Sequence, residues 1–238
     1  MEPLKDKVAY ITGGTKGIGF GIAEALLEKG MRVAITGRSQ DTVDAARKQL
    51  SPTADVIGIV ADVRSMDAQD KAIKQILDAW GQIDLVIANA GIGHFTDIES
   101  MSPEQWHETI DVNLTGVFNS IKTTVDSLKK SRGYFITIAS LAGTNFFAKG
   151  AAYNASKFGL VGFTQAVMLD LRKYGIKTTT IMPGSVSTYF NDHQPSEADA
   201  WKIQPEDIGQ MVVDLLEIHP RSLPSKVEVR PTVPPSAK

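Results

Sequence analysis

The chain has 238 residues, a formal net charge of -2 and no cysteine. Hydrophobic residues make up 42% and charged residues 22%, near the globular averages of about 45–50% and about 25%, which argues against a disordered or fibrous chain. Without cysteine there are no disulfides, thiolate zinc sites or cysteine nucleophiles, and without a basic excess there is no electrostatic footprint for nucleic acid or an anionic membrane.

The opening segment, MEPLKDKVAYITGG, has no long apolar core and does not read as a signal peptide. Val8 to Thr12 is a β-rich run ended by Gly13 and Gly14, and Gly17 to Lys29 follows with helical spacing and a stop at Gly30. Strand–helix pairs then repeat: Met31 to Thr36 with Asp41 to Leu50, and Asp55 to Val60 with about Ser65 to Trp80. Leu85 to Ala88 precedes a long helical stretch from Ser102 to about Lys130, with Ser102 as N-cap and Pro103 in the first turn. Lys122, Lys129, Lys130 and Arg132 gather near its end, where the helix dipole favours solvated cations. Tyr134 to Ile138, a helix from Tyr153 to Tyr174, Lys177 to Met182, a helix from Pro205 to Ile218 and a short strand around Val227 to Val229 complete the series. The strands read as continuous Val/Ile/Leu runs rather than alternating ones, the pattern of a sheet covered on both faces. The fold class expected is α/β: a Rossmann-type, doubly wound, parallel seven-stranded sheet with helices on both faces. One domain over residues 1–238 is expected, with a substrate-loop insertion at about 185–203 and a proline-rich tail at 230–238.

A strand, a glycine turn and a helix at the start of the chain form the setting of a dinucleotide diphosphate site, because backbone N–H groups at a helix N-terminus bind anions. The turn Gly13-Gly14-Thr15-Lys16-Gly17-Ile18-Gly19 has the spacing G-x-x-x-G-x-G rather than G-x-G-x-x-G. At the end of the second strand, where an acid would bind a ribose 2′-hydroxyl, the chain has Thr36-Gly37-Arg38-Ser39. A guanidinium there can grip a 2′-phosphate, with Lys16 as a second positive charge, so NADP(H) is favoured over NAD(H). Asp62, at the end of the third strand, is either an acceptor for the adenine amino group or a turn residue.

Tyr153 and Lys157 stand four apart on a helix and share a face. A neighbouring ammonium, joined by an oxidised nicotinamide, is expected to draw the phenol toward neutrality, giving an acid–base unit for a carbonyl/alcohol pair. Ser140 ends the fifth strand on the ligand side of the sheet, where its hydroxyl can bind a carbonyl. Asn113 lies within a helical stretch that disfavours asparagine. It either holds a water through its side chain or carbonyl, or marks a kink between two shorter helices, and both can hold together.

These residues resemble the short-chain dehydrogenase/reductase family over nearly the whole chain, through TGGTKGIG (12–19), ANAG (88–91), Asn113, Ser140, the Tyr153/Lys157 pair and Pro183-Gly184. The resemblance implies a catalytic tetrad of Asn113, Ser140, Tyr153 and Lys157. Tyr153 would protonate the substrate oxygen, Lys157 would bind the nicotinamide ribose, Ser140 would orient the carbonyl and Asn113 would hold a relay water. Gly13, Ile18 and Gly19 would line the diphosphate, and Asn89, Ala90 and Gly91 the adenosine ribose side. Pro183, Gly184 and Thr188 would contact the nicotinamide end, with Thr15, Lys16, Gly17, Arg38, Ser39, Asp62, Val63 and Val186 as further cofactor-binding residues. Two features depart from the family pattern. Ala88 replaces the first asparagine of NNAG, and the ending KVEVRP replaces the glycine-rich close of the 3-oxoacyl-acyl-carrier-protein reductases. The ending looks more like branches resembling sepiapterin reductase or 3-hydroxy-acid dehydrogenases.

The expected substrate pocket is mostly apolar, with His94, Phe95, Leu141, Phe146, Phe147, Tyr189 and Phe190 as wall residues and 185–203 as a mobile lid. The four histidines have no metal-ligand spacing, and no metal is expected. The activity expected is NADPH-dependent reduction of a ketone or aldehyde by a cytoplasmic homo-oligomer. The alternatives are 3-oxoacyl-acyl-carrier-protein reduction, NAD-dependent alcohol oxidation and, least favoured because both Tyr153 and Lys157 are present, a non-catalytic dinucleotide sensor.

Overall fold

The computed structural model describes residues 4–50 and 55–233. Within these, one parallel sheet carries β1 (Val8–Ile11), β2 (Arg32–Gly37), β3 (Val56–Val60), β4 (Leu85–Ala88), β5 (Tyr134–Ile138), β6 (Lys177–Pro183) and β7 (Lys226–Val229). Their spatial order is β3-β2-β1-β4-β5-β6-β7. The winding reverses between β1 and β4, and in open α/β sheets the crevice at that reversal, outside the strand carboxyl ends, is where ligands bind. Every pairing is parallel, with Tyr10 opposite Ala34 on one side and Val86 on the other.

Period-2 alternation sorts each strand between two cores. Val8 and Tyr10 of β1 join a cluster with α3 (Met66–Trp80), α5 (Gly116–Ser131) and α6 (Ala151–Leu171), whereas Ala9 and Ile11 join one with α1 (Gly17–Glu28) and α7 (Pro205–Glu217). The edge strand β7 departs from the continuous apolar pattern, since KVEV alternates between exposed and half-buried. Helices α1 and α7 cross with their backbones in contact. A Cβ on Gly209 would lie 2.5 Å from the Gly21 carbonyl oxygen, and one on Gly21 would lie 2.7 Å from the Pro205 backbone.

Helix ends follow their sequence signals. Ser65 caps α3 by accepting from Ala68 N at 3.2 Å. Ser102 forms a reciprocal capping box with Gln105 at the start of α4 (Pro103–Ile110). Gly30, just beyond α1, takes a left-handed φ of 76°. The helical stretch from 102 to 130 is α4 and α5 joined by a π-helical turn, Asp111–Thr115, that contains Asn113, which agrees with the expected break there between two shorter helices. One boundary is corrected. The helix expected to open at Tyr153 starts at Ala151, so Tyr153 lies inside its first turn, and it passes into a 3₁₀ turn at Arg172–Tyr174. Most of the 230–238 tail lies outside the described residues. No helix among the described residues is long and apolar enough to cross a membrane.

Candidate active site

The glycine turn is built for close backbone approach. Gly13 has φ 64°, and a Cβ there would stand 2.9 Å from Ala90 Cα. Asn89 braces the turn: its Nδ2 donates to the carbonyls of Thr12 and Gly13, each at 3.0 Å. Thr12 Oγ1 in turn accepts from the backbone N–H groups of Asn89 and Ala90. The asparagine side chain expected on the adenosine side therefore holds β4 to the turn. Lys16 is the N-cap of α1, no side chain caps the helix, and no acid lies in its first turn. The amides at Ile18 and Gly19 thus open a helix whose positive end carries no internal anion.

The adenosine side is rich in charge. Arg38 and Ser39 are exposed after β2, and the Ser39 carbonyl accepts from Thr42 Oγ1 and Val43 N. Arg38 Nη1 lies 3.9 Å from Glu108 Oε1, and the other Glu108 oxygen lies 2.9 Å from His94 Nε2. Glu108, which the motif reading did not single out, thus links Arg38 to His94. Asp62 accepts from its own near neighbour, Arg64, whose Nη2 stands 2.6 Å from Oδ2. The Arg64 hydrogen bond holds the Asp62 carboxyl below its usual range. Asp62 also accepts from Arg64 N at 2.9 Å, so the turn alternative describes its geometry. Val63 is buried and its carbonyl accepts from Gln69 and Asn119, which makes it part of the packing behind the site. Thr15 packs toward Gly37.

On the other side of the crevice, Lys157 is buried and its Nζ donates to the Ile138 carbonyl at 3.1 Å. The same Nζ lies 5.6 Å from the centre of the Tyr153 ring. Burial brings the Lys157 ammonium down to about 8. The Tyr153 phenol is pushed above its ordinary value by burial, with a hydrogen bond from Ser140 acting in the opposite sense. In the protein without a nicotinamide, desolvation prevails. Ser140 caps the short turn Leu141–Gly143 by accepting from Ala142 N at 3.1 Å. Asn113 is fully buried. Its Oδ1 accepts from Ile92 N at 2.8 Å, and its Nδ2 donates to the Ile92 carbonyl and to Ser156 Oγ. The amide thereby fixes the π turn against the segment after β4. Gly91 lies between Asn113 and Lys157.

The expected wall residues divide into groups. Phe95 and Phe190 enclose Tyr153, with ring centres 5.4 and 5.6 Å from its own, and Phe147 packs on Phe95 at 5.8 Å. Leu141 packs near Gly184. Tyr189 lies over Lys16 at 5.7 Å, on the cofactor side. Phe146, expected in the same wall, is 87% exposed and faces an outer cleft. His94 is held by Glu108. Pro183 ends β6, Gly184 N donates to the Val229 carbonyl at 2.8 Å, and Val186 bridges to Ile203. Thr188 sits against Gly17, so the segment 188–190 reaches both the glycine turn and Tyr153. Beyond it, Asn191 and Asp192 both adopt left-handed φ, 55° and 59°. His193 and Lys202 then converge on Asp199 at 2.6 and 2.5 Å. No cluster of three or more potential metal ligands occurs among the described residues.

An uncharacterised oxidoreductase of Staphylococcus epidermidis is 32% identical over 97% of this chain and 100% of its own length. An alcohol dehydrogenase of Thermococcus sibiricus, solved with 5-hydroxy-NADP, superposes with a TM-score of 0.90 at 28% identity, covering 98% of this chain and all of the other. A metagenomic short-chain oxidoreductase in complex with NADP gives 0.85 at 31% identity over 98% and 100%. The model of the short chain dehydrogenase family matches residues 7–199, and the chain belongs to that family.

Proposed function

We propose that the protein is an NADP(H)-dependent reductase of ketones or aldehydes, with residues 1–238 forming one catalytic unit. The observation that carries this reading is the convergence of Tyr153, Lys157 and Ser140 at the strand ends, beside a glycine turn flanked by Lys16 and Arg38. When bound, the reduced nicotinamide supplies a hydride to the carbonyl carbon. Ser140 orients the carbonyl oxygen through its hydroxyl. Tyr153 gives its phenolic proton to that oxygen as the carbonyl π bond is lost, and Lys157 stabilises the phenolate that remains. Burial keeps Tyr153 protonated in the free protein, the state a reductase needs. The carbonyl of Asn113 holds the water that returns a proton from solvent. Lys16 and Arg38 hold the 2′-phosphate, with the N-terminus of α1 facing the diphosphate. NADP- and NADPH-bound neighbours support this choice of cofactor. The absence of cysteine is compatible with a reducing cytoplasm.

Oxidation of NADPH and NADH in the presence of a carbonyl panel tests the reading. Tyr153→Phe is expected to lower kcat by roughly 10²–10⁴-fold with the fold intact. Arg38→Ala is expected to weaken NADPH binding while leaving NADH binding nearly as it was. A Tyr153→Phe variant as active as wild type would sink the proposal. Equal loss of both cofactors in Arg38→Ala would remove the 2′-phosphate role.

A further inference from the structure

An open cleft of about 510 Å³ lies beyond the aromatic cluster, between the segment after β4 and the turn before α6. Ile98, Phe146 and Phe147 supply its apolar surface, with Asp97, Glu99 and Lys149 around them. Ile98 is 73% exposed and Phe146 87%. Single exposed apolar residues are ordinary, but large ones grouped in one concavity mark a binding surface.

The cleft adjoins the aromatic cluster that covers the reacting centre. Phe147 lines it and also packs on Phe95, whose ring meets Tyr153 edge-on. Asn154, the residue after Tyr153, fixes the wall: its Nδ2 donates to the carbonyls of Ala142 and Asn145, both at 2.8 Å, and its Oδ1 accepts from Phe147 N at 3.4 Å. The cleft and the phenol are therefore held by consecutive residues of one helix. Charge narrows the occupant. Lys149 is paired with Asp97 at 3.5 Å, whereas Glu99 has no ion-pair partner among the described residues. A carboxylate or phosphate brought to this rim meets an uncompensated negative charge, and a neutral or cationic group does not.

We propose that the cleft is the distal subsite for a bulky apolar ketone without negative charge, an aryl or long alkyl ketone. Its carbonyl lies at Tyr153 and Ser140, and its apolar remainder crosses Phe95 and Phe147 to rest against Phe146 and Ile98. The inference depends on the carbonyl-reductase reading, and the test separates the two. The NADPH-loaded enzyme is assayed on butanone, benzylacetone and para-carboxybenzylacetone. Wild type is expected to favour benzylacetone over butanone in kcat/KM by roughly tenfold or more, the scale on which an apolar pocket discriminates. The carboxylate analogue loses most of that preference, and Glu99→Gln restores part of it. Phe146→Ser and Ile98→Ser each lower the benzylacetone-to-butanone ratio through KM rather than kcat, which a general loss of folding does not do. Turnover of butanone with no preference for benzylacetone, or a preference that survives in the Phe146/Ile98 double variant, overturns the subsite while leaving carbonyl reduction standing. Turnover of none of the three ketones overturns both.

Discussion

Lys157 sets two demands against each other. Its ammonium is buried beside Tyr153 and held at about 8, below the ordinary lysine value of 10.5. A folded-state value below the unfolded one means that folding releases protons between those limits, so this lysine's contribution to stability rises with pH across that window. Below about 8 the charge is present and its burial opposes folding. Lys157→Met is therefore expected to raise Tm at pH 7, corresponding to ~1–3 kcal/mol, while lowering turnover by at least roughly 10²-fold. In the wild type, kcat/KM for reduction is expected to be flat through neutrality and to fall above about 8, as Lys157 loses its proton. Thermal melts and a pH profile check the pair. A lower Tm in the methionine variant, or a profile already falling below neutrality, would contradict this account. The Tyr153/Lys157 pairing was legible in sequence because a spacing of four on a helix is a local geometric fact. The shifted pKa values were not, because they arise from burial under β5 and the aromatic segments around Phe95 and Phe190, which are distant in sequence.

At the scale of elements, the strands and most helix ends were legible from apolar runs, caps and glycine stops. The π turn at Asp111–Thr115 was legible as a poor place for asparagine and a break between two shorter helices, but not as a π turn. Its cause is tertiary: Asn113 satisfies the Ile92 backbone and Ser156 at once. Glu108 and Asn154 carried no motif signal, since their partners Arg38, His94, Ala142 and Asn145 are brought to them by the fold. The α1–α7 crossing belongs to the same class. Nothing local distinguishes Gly209, yet a side chain there would strike the backbone of α1. Gly209→Ala is expected to destabilise the protein by about 1–3 kcal/mol, lowering Tm by roughly 2–4 °C for each kcal/mol. Because α1 carries the N-terminus proposed to face the diphosphate, cofactor affinity is expected to weaken in the same variant. Unchanged melting would mean that the two helices separate freely.

At the scale of the whole molecule, α5 and α6 carry large apolar side chains that the described residues leave half-exposed. Phe118 on α5 and Phe158 and Leu169 on α6 are 45%, 44% and 53% exposed, and Phe118 packs edge-on against Phe163 at 6.5 Å. A Cβ on Gly162 of the same helix would have no atom within 4 Å, so a second backbone can approach it. Homo-oligomers commonly close through a self-complementary patch, and the homo-oligomer expected for this chain is proposed to use this one. Sedimentation at micromolar concentration is expected to find an oligomer, and Phe158→Glu is expected to shift it to smaller species without loss of helical signal. A wild-type monomer would remove the proposal. Both faces of the sheet were legible from composition and pattern. The exposed aromatics were not, because an apolar helical position reads the same whether it faces the sheet or a neighbour.

The left-handed pair after Phe190 makes the segment over Tyr153 resemble a latched spring. A non-glycine residue in that region of backbone space is strained by roughly 1–2 kcal/mol, less for asparagine and aspartate, whose side chains tolerate it best. Asn191 and Asp192 therefore carry a backbone cost in this conformation, while the ring of Phe190 packs on Phe95 and Tyr153 and holds the segment in place. In an opening of this segment the backbone pair would favour release and the rings would resist it. Substitutions at positions 191 and 192 are thus expected to change such an opening without altering the aromatic contacts over Tyr153.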